Sequence, residues 1–363
     1  MGSSPAKPEF VNVLADKQVK EGEDVILRCE ANIGEVTAKW EKNGSALECV
    51  EGKHTMTQSG TTFSLIIRNA AEEDEGSYTL KLWNDSGSAS CSAMVIVELN
   101  EWRNAQWNQH PLITALRNFK ISNRKVRELR FLLAGPVGAG KTSIINTIKS
   151  IFAGHQFINC LAASDSCDFT INYQKHTIGT YPFAFCDMMG IASGQSEGLH
   201  TDDVISALKG HMPNEYNFCS RIPLCENTQN YIRNPSVNDK IHCLVSVIAA
   251  DKIAILENDV IQKMKTIRAE ASKLRIPQLV FMTRVDKVCK MTRGDLAKIY
   301  QSKKIREKME ECSTRLGVPV NCIFPLKNYH EETNLNEELN CLMLEAFTQA
   351  VYSAHEYVTK CSQ

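Results

Sequence analysis

The run Leu129-Arg-Phe-Leu-Leu-Ala-Gly135-Pro-Val-Gly-Ala-Gly140-Lys141-Thr142 constrains this chain more than any other. An apolar stretch enters a glycine-rich turn, and the turn leads through Lys-Thr into a helical pattern over 142–152. That is the spacing of a P-loop, a phosphate cradle between a strand and a helix. Gly135 and Gly140 let backbone N–H groups converge on phosphate oxygens where a Cβ would clash. The cradle so read comprises Gly135, Val137, Gly138, Ala139, Gly140, Lys141, Thr142 and Ser143. Lys141 has the reach to act on the β- and γ-phosphates, and the Thr142 hydroxyl can ligate Mg²⁺.

Two further motifs follow in the order such a cradle requires. Tyr181-Pro-Phe-Ala-Phe-Cys-Asp187-Met-Met-Gly190 brings an acidic residue to the end of an apolar strand, with glycine three residues later. Asp187 there can hold Mg²⁺ through a water, and the Gly190 N–H can bond a γ-phosphate oxygen. Hydrolysis would remove that oxygen and free the segment after Gly190, which makes the segment a switch. Leu279-Val-Phe-Met-Thr283-Arg-Val-Asp286 ends another strand. It is similar to the Asn/Thr-Lys-x-Asp base reader of GTPases, with Arg284 in place of the lysine. A carboxylate at Asp286 accepts hydrogen bonds from guanine N1–H and its exocyclic amine. Adenine would leave it unpaired, at a cost of roughly 1–3 kcal/mol. The planar fork of Arg284 can still cover the base. Thr170 is the expected switch threonine that completes Mg²⁺ coordination, with Thr177 as the reserve. The loop at Pro325-Leu-Lys-Asn328-Tyr has the right place for a base edge but no diagnostic residue.

From 129 onward, strands alternate with helical patterns. Residues 129–134, 183–186, 243–248, 279–282 and 320–324 read as short buried strands. Residues 142–152, 254–274, 295–316 and 335–352 read as helices. That order predicts a mainly parallel sheet covered on both faces, an α/β three-layer P-loop NTPase domain over 129–355. Phosphate ligands then belong at the carboxyl ends of the strands. Residues 100–128 read as a connector with a helix near Leu112–Leu116 and a locally basic stretch, most simply a solvated face.

Residues 9–99 are patterned differently. Val25, Leu27 and Cys29 alternate with Ile26, Arg28 and Glu30, Phe63, Leu65 and Ile67 with Ser64 and Ile66, and Tyr78, Leu80 and Leu82 with Thr79 and Lys81. Turn clusters such as Lys42-Asn-Gly44 and Asn84-Asp-Ser-Gly87 separate the runs, which predicts an all-β sandwich. Cys29 followed by Trp40, and Asp74-Glu-Gly76-Ser-Tyr78, resemble an intracellular immunoglobulin domain of the kind found in muscle proteins. The second cysteine of that pattern would fall at Leu80, so that disulfide cannot form. Cys29 is expected to pack as a thiol against Leu80 and Trp40, and Cys91 on the last strand is not a natural substitute.

Composition sets the remaining bounds. Lys+Arg number 41 and Asp+Glu 42, for a formal net charge of −1, so nothing draws the chain globally to nucleic acid or anionic membrane. No apolar run is long enough to span a bilayer, and no secretory h-region opens the chain. The fourteen cysteines include no Cys-x-x-Cys pair and read as reduced thiols of a cytoplasmic protein.

Taken together, residues 132–143, Ile148-Lys-Ser-Ile-Phe-Ala-Gly154, Cys186-Asp-Met-Met-Gly190, Leu208-Lys-Gly-His-Met-Pro-Asn-Glu-Tyr-Asn-Phe218, Asn238-Asp-Lys-Ile-His-Cys243 and Thr283-Arg-Val-Asp286 resemble the interferon-induced protein 44 and 44-like family. The resemblance implies a cytoplasmic, interferon-responsive, GTP-binding protein with an antiviral or antiproliferative association. Members of that family more often carry a TLDc-type N-terminal domain, so partners do not transfer. The expected ligands are GTP or GDP with Mg²⁺. The expected partners are a protein bound through the immunoglobulin-like domain and a second copy across the nucleotide face. Ile191, where many fast GTPases place a water-orienting glutamine, predicts slow hydrolysis. Val137 occupies a position where a smaller residue would leave room for an arginine finger, and Gln195 is the one nearby substitute for water positioning. The alternative from a different class is a non-hydrolysing interaction scaffold.

Overall fold

Period-two alternation becomes paired strands in the first part of the chain. The computed structural model describes residues 6–157, 172–194, 199–219 and 222–361. Two units divide the chain, Met1–Trp102 and Arg103–Gln363. The first contains β1 (Phe10–Asn12), β2 (Lys17–Lys20), β3 (Val25–Ala31), β4 (Thr37–Lys42), β5 (Ser45–Ala46), β6 (His54–Ser59), β7 (Thr62–Ile67), β8 (Gly76–Asn84) and β9 (Gly87–Glu98). One sheet has the order β1-β3-β7-β6 and the other β2-β9-β8-β4-β5.

Alternate residues of β3, β7 and β8 turn inward, and Val25, Leu27, Phe63, Leu65, Tyr78 and Leu80 share one buried cluster with Trp40. The Tyr78 hydroxyl donates to the Asp74 carbonyl at 2.9 Å, which fixes the corner before β8. Cys29 lies in this core with Leu80 and Trp40, as its pattern predicts. The expectation for Cys91 is corrected. Cys91 pairs in register with Leu80 across β8 and β9, it is buried, and it shares the core cluster with Cys29. The last strand therefore supplies the sulfur that β8 lacks.

The second unit begins with α1 (Gln109–Arg117), then β10 (Leu129–Ala134), α2 (Lys141–Ala153), β11 (Gln174–Thr177), β12 (Phe183–Asp187), α3 (Thr201–Lys209) and β13 (Cys243–Ala249). It continues through α4 (Asn258–Lys273), β14 (Gln278–Thr283), α5 (Val285–Val288), α6 (Lys290–Gly294), α7 (Lys303–Leu316), β15 (Ile323–Pro325) and α8 (Glu337–Lys360). The sheet order is β11-β12-β10-β13-β14-β15, with every neighbouring pair parallel except β11 with β12. This is a mixed α/β unit built on parallel strands. All seven residues of β13 are buried, as a strand covered on both faces must be. On one face Phe131, Phe183 and Phe185 surround Phe347 of α8, with ring centroids 5.4, 5.2 and 5.3 Å away. Among the described residues, no helix is long and apolar enough to cross a membrane.

Three elements depart from the apolar patterning. The helix expected over 295–316 is two pieces, a 3-10 turn at Leu296–Gln301 and then α7. Ser302 between them accepts from the Ile305 N–H at 3.3 Å and caps α7. The last strand is later than expected, because Val320–Cys322 forms a 3-10 turn before Ile323–Pro325 pairs with Val280–Met282. The helix expected from 254 starts at Asn258, after a separate turn at Ile253–Ile255.

Two of the segments that carry the family resemblance pack on each other. Gly210 closes α3 with φ +84°, and a Cβ there would lie 2.8 Å from the Asp239 carbonyl carbon. The Ile241 N–H donates to Leu208 O at 3.3 Å. Asn238 accepts from the Arg127 N–H at 2.8 Å and donates to Lys125 O at 2.7 Å. These residues seat the chain just before β10 and build scaffold.

Candidate functional site

Three loops at the carboxyl ends of the parallel strands converge on the turn between β10 and α2. Gly135 leaves β10 so close to β13 that a Cβ would sit 2.1 Å from Val247 O. Gly138 and Gly140 have φ of +71° and +93°, values that L side chains rarely adopt. Gly140 is also the N-cap of α2, which has no side-chain cap. A helix that begins in this way presents backbone donors and the positive end of its dipole to an anion. Val137, Gly138 and Ser143 are half-buried around this opening, and Ala139 is buried beneath it.

Lys141, only 5% exposed, donates to Gly135 O and Pro136 O, each at 3.2 Å. The ammonium is thus held over the loop by carbonyl oxygens. The Thr142 hydroxyl donates to Asp187 Oδ2 at 2.7 Å, and Asp187 Oδ1 accepts from the Met188 N–H at 3.0 Å. Asp187 is 1% exposed at the end of β12. A hydroxyl and a buried carboxylate joined in this way are the hard oxygen donors that Mg²⁺ requires. The residues present therefore fit the ion.

The segment after β12 is locked to the same loop. A Cβ on Gly190 would fall 2.6 Å from Val137 Cα and 2.7 Å from Val137 N. The Ile191 N–H donates to Gly135 O at 3.0 Å, and Pro136 and Ile191 form a parallel bridge. Ile191 is buried. Beyond it, Lys263 on α4 donates to Ala192 O at 2.8 Å and Gly194 O at 2.6 Å. Asp259 Oδ2 accepts from the Gly194 N–H at 3.0 Å.

β14 supplies the third loop. Thr283, fully buried, donates to Ala139 O at 2.6 Å, so its side chain holds the cradle. Arg284 takes φ +61° and pairs through Nε with Asp251 Oδ1 at 3.4 Å. Asp286 is half-buried on α5, and its carboxylate takes part in no hydrogen bond or ion pair among the described residues. A half-buried carboxylate left open in this way suits a ligand that brings two N–H donors.

The structure thus gathers Gly135, Val137, Gly138, Ala139, Gly140, Lys141, Thr142, Ser143, Asp187 and Gly190 in one place, with Thr283 bonded to the same loop and Arg284 and Asp286 following it. Thr170 and Gln195 lie outside the described residues. The reserve threonine is corrected: Thr177 is exposed and pairs with Ala184, while Gln174 is the residue opposite Asp187. Three residues of strand separate Thr177 from the carboxylate, about 10 Å.

Two contributors carry no diagnostic motif, the first of them in the loop expected at the base edge. Asn328, just after β15, donates from Nδ2 to Gly140 O at 3.3 Å. Tyr329 then anchors that loop, its N–H donating to Thr147 Oγ1 at 3.2 Å and its hydroxyl to Asn340 Oδ1 at 2.6 Å. The strand-end position was the available signal for Asn328. The other is Asp251, which follows β13 and carries no spacing signature.

Comparison with known proteins agrees with both halves of this picture. Residues 8–97 match the immunoglobulin I-set domain. The chain is similar to interferon-induced protein 44 of Mus musculus, 34% identical over 253 residues, which cover 68% of this chain and 60% of that protein. It is similar to interferon-induced protein 44-like of Homo sapiens, 29% identical over 260 residues, covering 70% and 58%. Matches this long must reach well into the second unit. A shorter stretch of 96 residues is 35% identical to palladin of Mus musculus and covers 26% of this chain and 7% of that one. The chain spans about 60% of the length of the interferon-induced relatives it matches. The resemblance carried by the sequence motifs is therefore present.

Proposed function

We propose that the second unit is a P-loop GTPase-like domain that binds GTP or GDP with Mg²⁺ and acts as a nucleotide-dependent switch with slow hydrolysis. One observation carries this reading. The Thr142–Asp187 bond and the Thr283–Ala139 bond meet on a single glycine turn, which supports reading the first as the metal side and the second as the base side of one nucleotide site. Residues 135–143 would hold the phosphates, Thr142 and Asp187 the ion, and Asp286 with Arg284 the base. Bound Mg²⁺ would neutralise charge on the triphosphate and orient it. Lys141 would exchange its two carbonyl partners for phosphate oxygens.

Slow turnover follows from Ile191. It is apolar and buried, and its N–H is committed to Gly135 O, so it does not orient a water. Gly190 and the segment tethered to Lys263 are the parts that a γ-phosphate would move. The similarity to interferon-induced relatives supports a place in the cytoplasmic interferon response, with the immunoglobulin-like unit recruiting a protein partner in one nucleotide state.

Titration of the purified chain with labelled GTP, GDP and ATP, each with Mg²⁺, tests this reading. Guanine nucleotides are expected to bind in preference to ATP, and Lys141→Ala to abolish binding while leaving the circular dichroism spectrum unchanged. Equal competition by ATP would overturn the base assignment. Unchanged GTP binding by Lys141→Ala would overturn the cradle.

A further inference from the structure

Two thiols meet inside the immunoglobulin-like unit. Cys29 on β3 is 2% exposed and Cys91 on β9 is 8% exposed, and they belong to one core cluster. β3 and β9 lie in different sheets, so a contact between these side chains bridges the sandwich. The two side chains influence each other's ionisation, and the Leu14 backbone lies beside Cys91. The Cys29 thiol donates to the Phe63 carbonyl at 3.9 Å. Tyr78 and Leu80 close the surroundings with apolar packing.

We infer that Cys29 and Cys91 form a redox-sensitive pair, closed to a disulfide between the two sheets by exchange with a small-molecule disulfide.

The two sulfurs have distinct roles. The neighbouring Cys29 side chain and, to a lesser degree, the Leu14 backbone hold the Cys91 thiol below its ordinary range, against the opposing effect of burial. The neighbouring Cys91 side chain, above all, and burial push Cys29 up. Cys91 is also the more exposed. It is therefore the attacking thiolate. Its sulfur bonds to one sulfur of the small disulfide and expels the other half as a thiolate. The Cys29 thiol then loses its proton and attacks Cys91 Sγ, and the second small thiolate leaves. Two thiolates leave in all, and they take up the two protons that Cys91 and Cys29 gave up. The protein loses two electrons and the small disulfide gains them. The new bond ties β3 to β9 across a 62-residue separation (91 − 29 from the numbering), and closing a loop of that length restricts the unfolded chain.

The test uses the full reduced chain, equilibrated with oxidised and reduced glutathione until its free-thiol count is constant. The chain is then unfolded, alkylated and digested without reduction. The expected product is a peptide pair cross-linked through Cys29 and Cys91. The unfolding midpoint of the immunoglobulin-like unit should rise by about 10 °C relative to the reduced chain. Cys91→Ser should fold, lose both the cross-link and the rise, and leave Cys29 alkylatable. Recovery of Cys29 and Cys91 both alkylated would overturn the inference. So would a bridge from Cys91 to any other cysteine. Neither outcome bears on nucleotide binding by the second unit.

Discussion

The Thr283 hydroxyl donates to the Ala139 carbonyl at 2.6 Å, and both residues are buried, so the end of β14 holds the glycine turn between β10 and α2 in place. The consequence can be measured. Thr283→Val keeps the shape and removes the donor, leaving a buried carbonyl oxygen short of a partner. Urea unfolding should show a loss of roughly 1–3 kcal/mol. Affinity for GTP should fall with it, and Thr283→Ser should restore both. A valine variant with wild-type stability would show that the bond is not a structural tie.

Gly190 and Val137 leave each other no space. Gly190→Ala would place a Cβ 2.6 Å from Val137 Cα and 2.7 Å from its nitrogen. These are backbone atoms, so trimming Val137 cannot relieve the contact. Thermal melts should therefore show that Gly190→Ala is destabilised by roughly 1–3 kcal/mol and that Val137→Ala does not rescue it. The added shift given by GTP with Mg²⁺ should also shrink. Full rescue by Val137→Ala would mean that only the valine side chain opposes residue 190.

The parallel strands and the cradle were legible because they depend on local chemistry. A buried strand must be apolar along its length, and a turn with φ near +90° calls for glycine. The strand at 129–134 appears with those bounds, and Thr142 finds Asp187 as its spacing implies. Contacts that join residues distant in sequence were not legible. Asn328 reaches Gly140 across 188 positions, and nothing near it in sequence announces the bond. Cys91 resembled a stray cysteine because its partner lies 62 positions away (91 − 29 from the numbering) in the other sheet. The break at Ser302 had a local signal, a capping serine within a helical pattern, which the apolar periodicity obscured. Asn238–Cys243 and Leu208–Phe218 resemble family segments as strongly as the cradle does, yet in the structure they fasten scaffold.

His242 makes the second unit sensitive to acid. Its Nδ1 accepts from the Arg130 N–H at 3.0 Å and its Nε2 lies 2.8 Å from Val237 O, so the neutral ring with the proton on Nε2 satisfies both partners. Burial is the largest cause that lowers its pKa, from 6.5 to about 4. Between those values the unfolded chain binds a proton that the folded chain does not, so stability falls as the pH drops from 6.5 toward 4. At pH 5 the loss should be about 2 kcal/mol relative to pH 7.5. Denaturant unfolding across this range should show the slope, and His242→Gln should reduce it even if its stability at pH 7.5 is lower, the remainder falling to His176, whose pKa burial also lowers to about 4. An unchanged slope in the variant would assign the acid sensitivity to other groups.

Asp286 offers the sharpest test of base choice. Arg284 pairs with Asp251 at 3.4 Å, while the half-buried Asp286 carboxylate is open among the described residues. In the nucleotide reading, that carboxylate accepts two hydrogens from guanine. Asp286→Asn turns one of its oxygens into an N–H donor, which opposes the guanine amine and suits the oxygen that xanthine carries there. The mispairing should cost roughly 1–3 kcal/mol, so GTP affinity should fall by about 10-fold or more. Xanthosine triphosphate should gain by a similar factor. Competition titrations of both nucleotides against wild-type and variant chains read the two changes together. A loss of GTP with no gain of the xanthine nucleotide would indicate a damaged fold, which the melting curve would reveal. With the fold intact, that same result would mean that Asp286 does not face the base.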